Sequence, residues 1–403
     1  MTNKVCIAGK NNIAVAITKY LLTTFPNIEI LFISNKSDTG ENGFQRSFKL
    51  FCNLNRIREV TLKDVYSEPN IIFLSLEFDT IINPSLFLTS ELFNIHFSLL
   101  PEYKGMYTSA LPILEGKFYS GVTLHKIDDG IDTGDIIAQT KFEIDDEITA
   151  EQLYELYIDY GVVLIKENLS NILNKSYIAE RQQKALSSYN SKKRIDYKNL
   201  SINHNATAFQ VKRQINAFVF TTYQLPIVKG YSVYKSKILD ERSKTKPGEI
   251  ITSTPFFIDI STIDYNLRVY KDLRKELFEI AQNGEIERLK IFIEQAYDLK
   301  QKSERGWDIS IVAAYNDQFD FLNFLIEELS WNVNSTNYNG TTLAMYLMTK
   351  VSQGVNSDYF ETFIRRADID SSIRDYNQCN LFDYAIRYNL NDSLIELIRK
   401  YSK

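Results

Sequence analysis

Four short apolar runs, spaced widely enough to leave room for helices, constrain this chain more than any other feature. Val5-Cys6-Ile7-Ala8 ends at Gly9, Ile28–Ile33 and Ile71–Leu76 follow, and Phe93-Asn94-Ile95-His96 closes the series. Between the first two runs, Ile13–Thr24 carries apolar residues at helical spacing. A run apolar at consecutive positions suits a strand covered on both faces, as inside a parallel sheet flanked by helices. The rhythm predicts an α/β domain with a parallel, doubly wound sheet. Sheets of that kind bind ligands beyond the carboxyl ends of their strands. Helical spacing returns over Ala150–Asn174, and Thr123-Leu124-His125-Lys126 alternates as a half-buried strand does.

The pattern changes twice further along, as expected of 403 residues, which exceed a single core. We read residues 1–180 as the first domain and 181–270 as a small α+β, β-rich middle domain. The middle part opens with a polar connector, Arg181–Lys198. A helix over Ala206–Ala217 and β-rich stretches over Pro226–Leu239 and Gly248–Val269 follow, with Asp240–Lys244 expected as a loop between them. From 271 to 403 the chain is all-α and repeats itself. The segment starting Gly306-Trp307-Asp308 is echoed from Gly340-Thr341-Thr342 and again from Cys379-Asn380. Gly306 and Gly340 lie 34 residues apart, close to the ankyrin period of about 33. Asn337–Ala344 resembles the ankyrin turn and first helix, and Leu277–Gly284 a capping first repeat. Ankyrin repeats are therefore the expectation here, with other helical-hairpin repeats as the alternative.

Composition excludes several functions. A formal charge of −5, from 46 basic and 51 acidic side chains, gives no reason to expect nucleic acid as a partner. The three cysteines, Cys6, Cys52 and Cys379, are far apart, so neither a disulfide framework nor a structural zinc site is expected. The first residues, Met1-Thr2-Asn3 onward, read as the start of a strand rather than a signal peptide. No apolar run is long enough to span a membrane. These readings predict a cytoplasmic protein without membrane insertion.

The chemistry concentrates in two segments: Asn94-Ile95-His96 with Ser98-Leu99-Leu100-Pro101, and Gly121–Gly134, which ends Asp128-Asp129-Gly130-Ile131-Asp132-Thr133-Gly134. Alone, an Asn-x-His pair is usually a strand end with a hydrogen-bonded core histidine, and an Asp-Thr-Gly often only a turn. The acidic loop lacks the spacing of a calcium-binding EF-hand. Jointly, the segments resemble the family of formyltransferases that use N10-formyltetrahydrofolate, over roughly residues 1–180. That family includes methionyl-tRNA, glycinamide-ribonucleotide and nucleotide-sugar formyltransferases. The resemblance implies a Rossmann-like catalytic domain, folate as co-substrate, no metal, and a catalytic triad of Asn94, His96 and Asp132.

The residue types suit that chemistry. Positions two apart on a strand share a face, so Asn94 and His96 point the same way. Formyl transfer to an amine passes through a tetrahedral intermediate, which needs a donor for its oxyanion and an acceptor for the amine proton. The Asn94 amide can donate to the oxygen. Imidazole, which titrates near about 6.5, can move the proton, and Asp132 can orient the ring or offset its charge. His125 is expected to be structural and His204 a surface residue.

The acceptor is expected to be a nucleotide sugar. The turn Gly9-Lys10-Asn11-Asn12 resembles the sugar-formyltransferase version, where Lys10 can pair with a diphosphate; a solvated turn lysine is the plain alternative. Glu77-Phe78-Asp79 resembles the family segment that touches the nucleotide. Gln214–Pro226 resembles another, with Asn216, Phe220 and Tyr223 at the base or hexose, the alternative being that Phe218 and Phe220 are core. Met106 and Tyr107 fall where the family shapes its folate cleft. The resemblance points to dTDP-3-amino-3,6-dideoxyhexoses, the glucose isomer first, with 4-amino isomers next, in O-antigen synthesis. A methionyl-tRNA enzyme ranks below these, since it calls for a basic face and a C-terminal β-barrel. The resemblance further implies a homodimer, through the middle β-rich part. The repeats are expected to bind a protein partner, or to hold an accessory nucleotide site on Trp307, Trp331 and Tyr338.

Overall fold

The computed structural model describes residues 4–355 and 357–401. Met1-Thr2-Asn3, read above with the first strand, lie outside them. By internal contact the chain divides into two units, one running to Glu41 and from Arg46 to Asp272, the other comprising Asn42–Gln45 and the chain from Leu273 onward.

The first unit is built on a seven-stranded sheet. Its elements are β1 (Lys4–Gly9), α1 (Asn11–Thr24), β2 (Glu29–Ser34), α2 (Phe48–Leu54), β3 (Arg58–Glu59), α3 (Leu62–Tyr66), β4 (Ile71–Leu76), β5 (Leu92–His96), β6 (Lys104–Gly105), α4 (Leu111–Leu114), β7 (Tyr119–Lys126), β8 (Ile136–Glu143) and α5 (Ala150–Asn174). The sheet order is β3-β2-β1-β4-β5-β7-β8. From β3 to β5 all neighbours are parallel. All six residues of β4 are buried, as the continuous apolar runs require. The expectation of a wholly parallel sheet fails at one edge, where β5–β7 and β7–β8 pair antiparallel. For β7–β8 the reason is local: the segment 127–135 links them without a crossover helix, and a short link returns the chain antiparallel. That link carries the Asp-Thr-Gly motif.

Helix α5 begins at a capping box. Thr149 accepts from the Gln152 N–H, and Gln152 reaches back to the cap. It ends at Lys175, in the left-handed region at φ 56°. Its buried stripe, including Leu153, Tyr157, Gly161 and Leu164, packs on α1 and β7.

The chain continues through β9 (Tyr189–Asn190), α6 (Ala208–Phe218), β10 (Ile227–Val228), β11 (Tyr231–Arg242), β12 (Ile250–Ser253), β13 (Phe257–Ile260) and β14 (Tyr265–Lys271). The last five strands form an antiparallel sheet, ordered β10-β11-β14-β13-β12. Its buried side chains include Val233, Ile258, Ile260, Leu267 and Val269, and α6 packs against β11 and β14. The loop expected over Asp240–Lys244 is partly strand. β11 runs on to Arg242, which pairs with Tyr265 after an irregular step past Ile238. A bulge of this kind lets polar residues continue a strand.

In the second unit, eight helices are seen among the described residues: α7 (Arg274–Asn283), α8 (Ile286–Glu294), α9 (Ile309–Tyr315), α10 (Phe319–Leu329), α11 (Leu343–Ser352), α12 (Asp358–Ile364), α13 (Leu381–Arg387) and α14 (Asp392–Tyr401). α7, α9, α11 and α13 contact one another in sequence, which buries a continuous core through Ile311, Leu322, Leu343, Met348 and Phe360. The sequence echo has a structural counterpart. Gly306, Gly340 and Gln378 all have positive φ. Two residues after each, Asp308, Thr342 and Asn380 cap a helix through their side chains. No helix among the described residues is long and apolar enough to cross a membrane.

Candidate active site

Asn94 and His96 stand at the carboxyl end of β5, opposite His125 and Thr123 of β7. Register therefore makes His125 the cross-strand partner of Asn94. The His125 Nδ1 lies 2.7 Å from the Lys126 carbonyl, so that nitrogen carries the proton and donates. Its Nε2 is left as an acceptor and receives the Asn94 amide at 3.1 Å. This fixes which way the Asn94 amide points and leaves its second N–H for a ligand. Burial, with His96 nearby, pushes the His125 imidazole down to about 4, against the pull of Asp132. His125 is therefore neutral near pH 7, as its acceptor role demands. The reading of His125 as structural, made from its alternating strand, did not name this contact with Asn94.

His96 is buried, and its Nε2 donates to the Tyr103 carbonyl at 2.8 Å. The free nitrogen, Nδ1, lies 3.5 Å from Asp132 Oδ2. That separation is long for a hydrogen bond and short for charge pairing, so a proton arriving at Nδ1 meets a carboxylate. Asp132 sits in the left-handed region at φ 55°. Its Oδ2 accepts from the Gly105 N–H at 2.9 Å, and its Oδ1 lies 3.7 Å from His125 Nε2. The loop is pinned at Asp128, whose Oδ1 accepts from Thr133 Oγ1 at 2.6 Å. Gly134 is required here, since a Cβ would collide with the Lys126 carbonyl. Asn94, His96 and Asp132 thus come together from two segments, with His125 as a fourth member.

His125 carries a pH prediction. Its folded value of about 4 lies below the ordinary value of about 6.5, so the unfolded chain takes up the proton first. The stability it contributes is complete above pH 6.5 and lost as pH falls toward 4. Between pH 7.5 and 4.5, wild type should lose ~2–3 kcal/mol more than His125→Asn in denaturant unfolding. Equal losses in the two proteins would contradict this.

A second cluster lies at the carboxyl ends of β1 and β4, where strand order reverses. Glu77 has φ 58° and Asn11 φ 65°. Asn11 Nδ2 donates to Glu77 Oε2 at 3.2 Å and to Tyr154 Oη at 2.8 Å, and Tyr154 donates to Glu77 Oε1 at 2.9 Å. Burial raises the Glu77 carboxyl, and Lys10 opposes that rise. Tyr154 packs on Phe220 at 5.7 Å, and Phe220 on Tyr223 at 4.7 Å. Half-buried Tyr154, buried Phe220 and the Glu77 carboxylate thus make a wall ending in Tyr223, which is two-thirds exposed. Asn11 and Tyr154 were not singled out from sequence, being 143 positions apart.

The remaining expected contacts sort differently. Phe78 packs against Phe73 at 6.4 Å in the core beneath the loop. Asp79 is exposed, its N–H toward Asn35 Oδ1 at 3.4 Å. Asn216 is buried, and its amide donates to the Asp146 carbonyl at 3.2 Å, so it ties α6 to the loop before α5. This corrects the expectation that it faces a ligand, because the helix turns it inward. Phe220 is buried, as the alternative reading had it, yet it forms part of the wall. Met106 is exposed, and Tyr107 rests on Tyr197 at 5.3 Å with its hydroxyl donating to the Lys192 carbonyl. In the second unit, Trp307 packs with Tyr315 at 4.9 Å and Tyr346 at 5.2 Å, and Lys302 Nζ stands 5.7 Å from the Tyr338 ring. The Trp331 backbone N–H donates to the Leu325 carbonyl, closing the end of α10. Among the described residues, no group of three or more His, Cys, Asp or Glu is arranged to hold a metal ion.

Comparison with known proteins agrees with this geometry. The family model described as formyl transferase matches residues 72–167. The chain is 42% identical to WlaRD, a sugar 3N-formyl transferase solved with dTDP and 5-N-formyl-THF, over 67% of this chain and 98% of that one, with a TM-score of 0.63. It is 40% identical to the N-formyltransferase of Helicobacter canadensis, solved with folinic acid and dTDP-3-aminofucose, over 68% of this chain and all of that one, also at 0.63. It is 34% identical over 174 residues to the methionyl-tRNA formyltransferase of Clostridioides difficile (strain 630), covering 42% of this chain and about half, 55%, of that protein.

Proposed function

This chain belongs to the formyl transferase family, and on that premise we propose that it moves a formyl group from N10-formyltetrahydrofolate to the amino group of a dTDP-linked 3-amino-3,6-dideoxyhexose, the glucose isomer first. The observation that carries the reading is the arrangement of Asn94, His96 and Asp132, with Nδ1 of His96 3.5 Å from the Asp132 carboxylate. As the amine nitrogen bonds to the formyl carbon, Asn94 donates its free N–H to the oxygen gaining charge. His96 takes the amine proton, Asp132 offsets the charge, and the proton passes to the departing N10 as the C–N10 bond breaks.

The choice of acceptor is supported by the likeness to two enzymes solved with dTDP or a dTDP-3-amino sugar, each covered almost end to end. The wall of Tyr154, Phe220 and Tyr223 beside Lys10 offers aromatic faces for a base or hexose and a cation for a diphosphate. A 4-amino sugar is the nearest alternative. Methionyl-tRNA is less favoured, because the net charge of −5 provides no phosphate-binding field. With the reading go a cytoplasmic location, a homodimer and a place in O-antigen synthesis.

The C-terminal helical hairpins are read as ankyrin repeats, for the recurrence of a positive φ two residues before each capped helix. They would serve a protein partner, or an accessory nucleotide site on the aromatic residues near Lys302 and Arg305; Trp331 would belong to it only by sequence.

Relative kcat/KM on dTDP-3-amino and dTDP-4-amino-3,6-dideoxyglucose and on methionyl-tRNA tests the acceptor, and the 3-amino sugar should lead. Preference for tRNA would overturn it. Tyr223→Ala should raise KM for the sugar nucleotide about 3–10-fold with kcat nearly unchanged. An unchanged KM would remove Tyr223 from the acceptor site.

A further inference from the structure

We propose that Gln182, on the connector after α5, is a positioning residue for this reaction: it holds the loop that presents Asp132 to His96. The inference rests on the formyl-transfer reading above. The Gln182 Nε2 donates to two backbone carbonyls, that of Asp132 at 2.9 Å and that of Gly134 at 2.8 Å. Asp132 has φ 55°, a conformation that a residue with a Cβ keeps only where its surroundings hold it. Two donors placed on the same loop from 50 and 48 positions away are such a hold. The Gln182 Oε1 is buried with no partner among the described residues. With that oxygen unpaired, the hydrogen bonds of this side chain are the two its NH2 donates to the loop.

The rest of the connector works in the same direction. Glu180 and Ile136 exchange two backbone hydrogen bonds of 2.8 Å, which pins the far end of the loop. Ser188 Oγ accepts from the Tyr103 N–H at 2.7 Å, and the Ser188 carbonyl from the Lys104 N–H at 3.0 Å. Asn190 accepts from the Met106 N–H at 2.9 Å. The imidazole of His96 lies between these two tethered loops. The Tyr103 carbonyl receives Nε2 on one side, and Asp132 faces Nδ1 on the other. Ser188 and Gln182 therefore act on both contacts of the ring from one connector, and Gln182 is the member reaching the Asp132 loop by side chain.

The test uses the full chain with Gln182→Glu, which keeps the shape and removes both donors, alone and combined with Asp132→Asn. Gln182→Glu should lower kcat about 10–100-fold with both KM values within about twofold, and should add less than about twofold on the Asp132→Asn background. Hydrogen exchange gives a readout independent of turnover. The Gly105 N–H, which donates to Asp132 Oδ2, should exchange about 10-fold faster in Gln182→Glu, with β1 and β4 amides unchanged. Additive effects on kcat, an effect confined to KM, general loss of protection in the core strands, or unchanged exchange at Gly105 would each overturn the proposal. A wild-type chain without turnover would defeat the formyl-transfer reading alone, and the Gly105 exchange would still decide for or against Gln182.

Discussion

Replacing His96 by alanine is expected to lower kcat for formyl transfer by about 10²–10⁴-fold, with the binding of folate and nucleotide sugar changed only a few-fold. In the proposed mechanism the free Nδ1 of His96 accepts the amine proton, and His125 does not compete for that task. His125 spends its own Nδ1–H on the Lys126 carbonyl and its Nε2 on Asn94. Burial holds it neutral, so it does not substitute. Alanine also leaves the buried Tyr103 carbonyl without its donor, which costs about 1–3 kcal/mol. His96→Gln, able to donate to that carbonyl, separates the two effects: it should recover stability and stay inactive. Recovery of activity with stability would show that the ring only supports the Tyr103 loop. Steady-state kinetics with parallel denaturation curves decides.

Asn94→Ala should cost about 10²–10³-fold in kcat, the usual effect of removing one oxyanion donor. One amide hydrogen goes to His125 Nε2 at 3.1 Å, and Asn94 is only half-buried, which leaves the other hydrogen for a ligand. His125→Phe, which removes the acceptor that orients the amide, should cost less than Asn94→Ala and nothing further on top of it. If the two losses multiply, the amide is not oriented by His125, and the oxyanion role of Asn94 would need another support.

Much of this was legible in the residues. Runs such as Ile71–Leu76 suit strands covered on both faces, and β4 is buried throughout. The helix Ala150–Asn174 is framed by the Thr149–Gln152 box, a local signal. The pair Asn94 and His96 followed from strand alternation and the motif with Asp132. What escaped notice was set by distant contact. β8 returns antiparallel to β7 because the link between them is too short for a crossover, a matter of topology rather than propensity. Polar Asp240-Glu241-Arg242 looked like a loop and is carried along as strand by pairing with β14. Tyr154 meets Glu77 across 77 positions, and Gln182 reaches the Asp132 loop across 50. Neither residue stands out in its own neighbourhood. Asn216 shows the converse error: a segment likeness suggested a ligand contact, and the inward face of an amphipathic helix decided otherwise.

Whether this chain transfers a formyl group to a sugar amine is decided in one reaction mixture. The purified full chain is mixed with N10-formyltetrahydrofolate and dTDP-3-amino-3,6-dideoxyglucose, and the sugar nucleotide is followed by mass spectrometry with His96→Ala alongside. The account predicts a sugar nucleotide heavier by one carbonyl unit, tetrahydrofolate released in equal amount, and neither product from the mutant. Folate binding without transfer to this or any other amino-sugar nucleotide, or full transfer by the mutant, would contradict it.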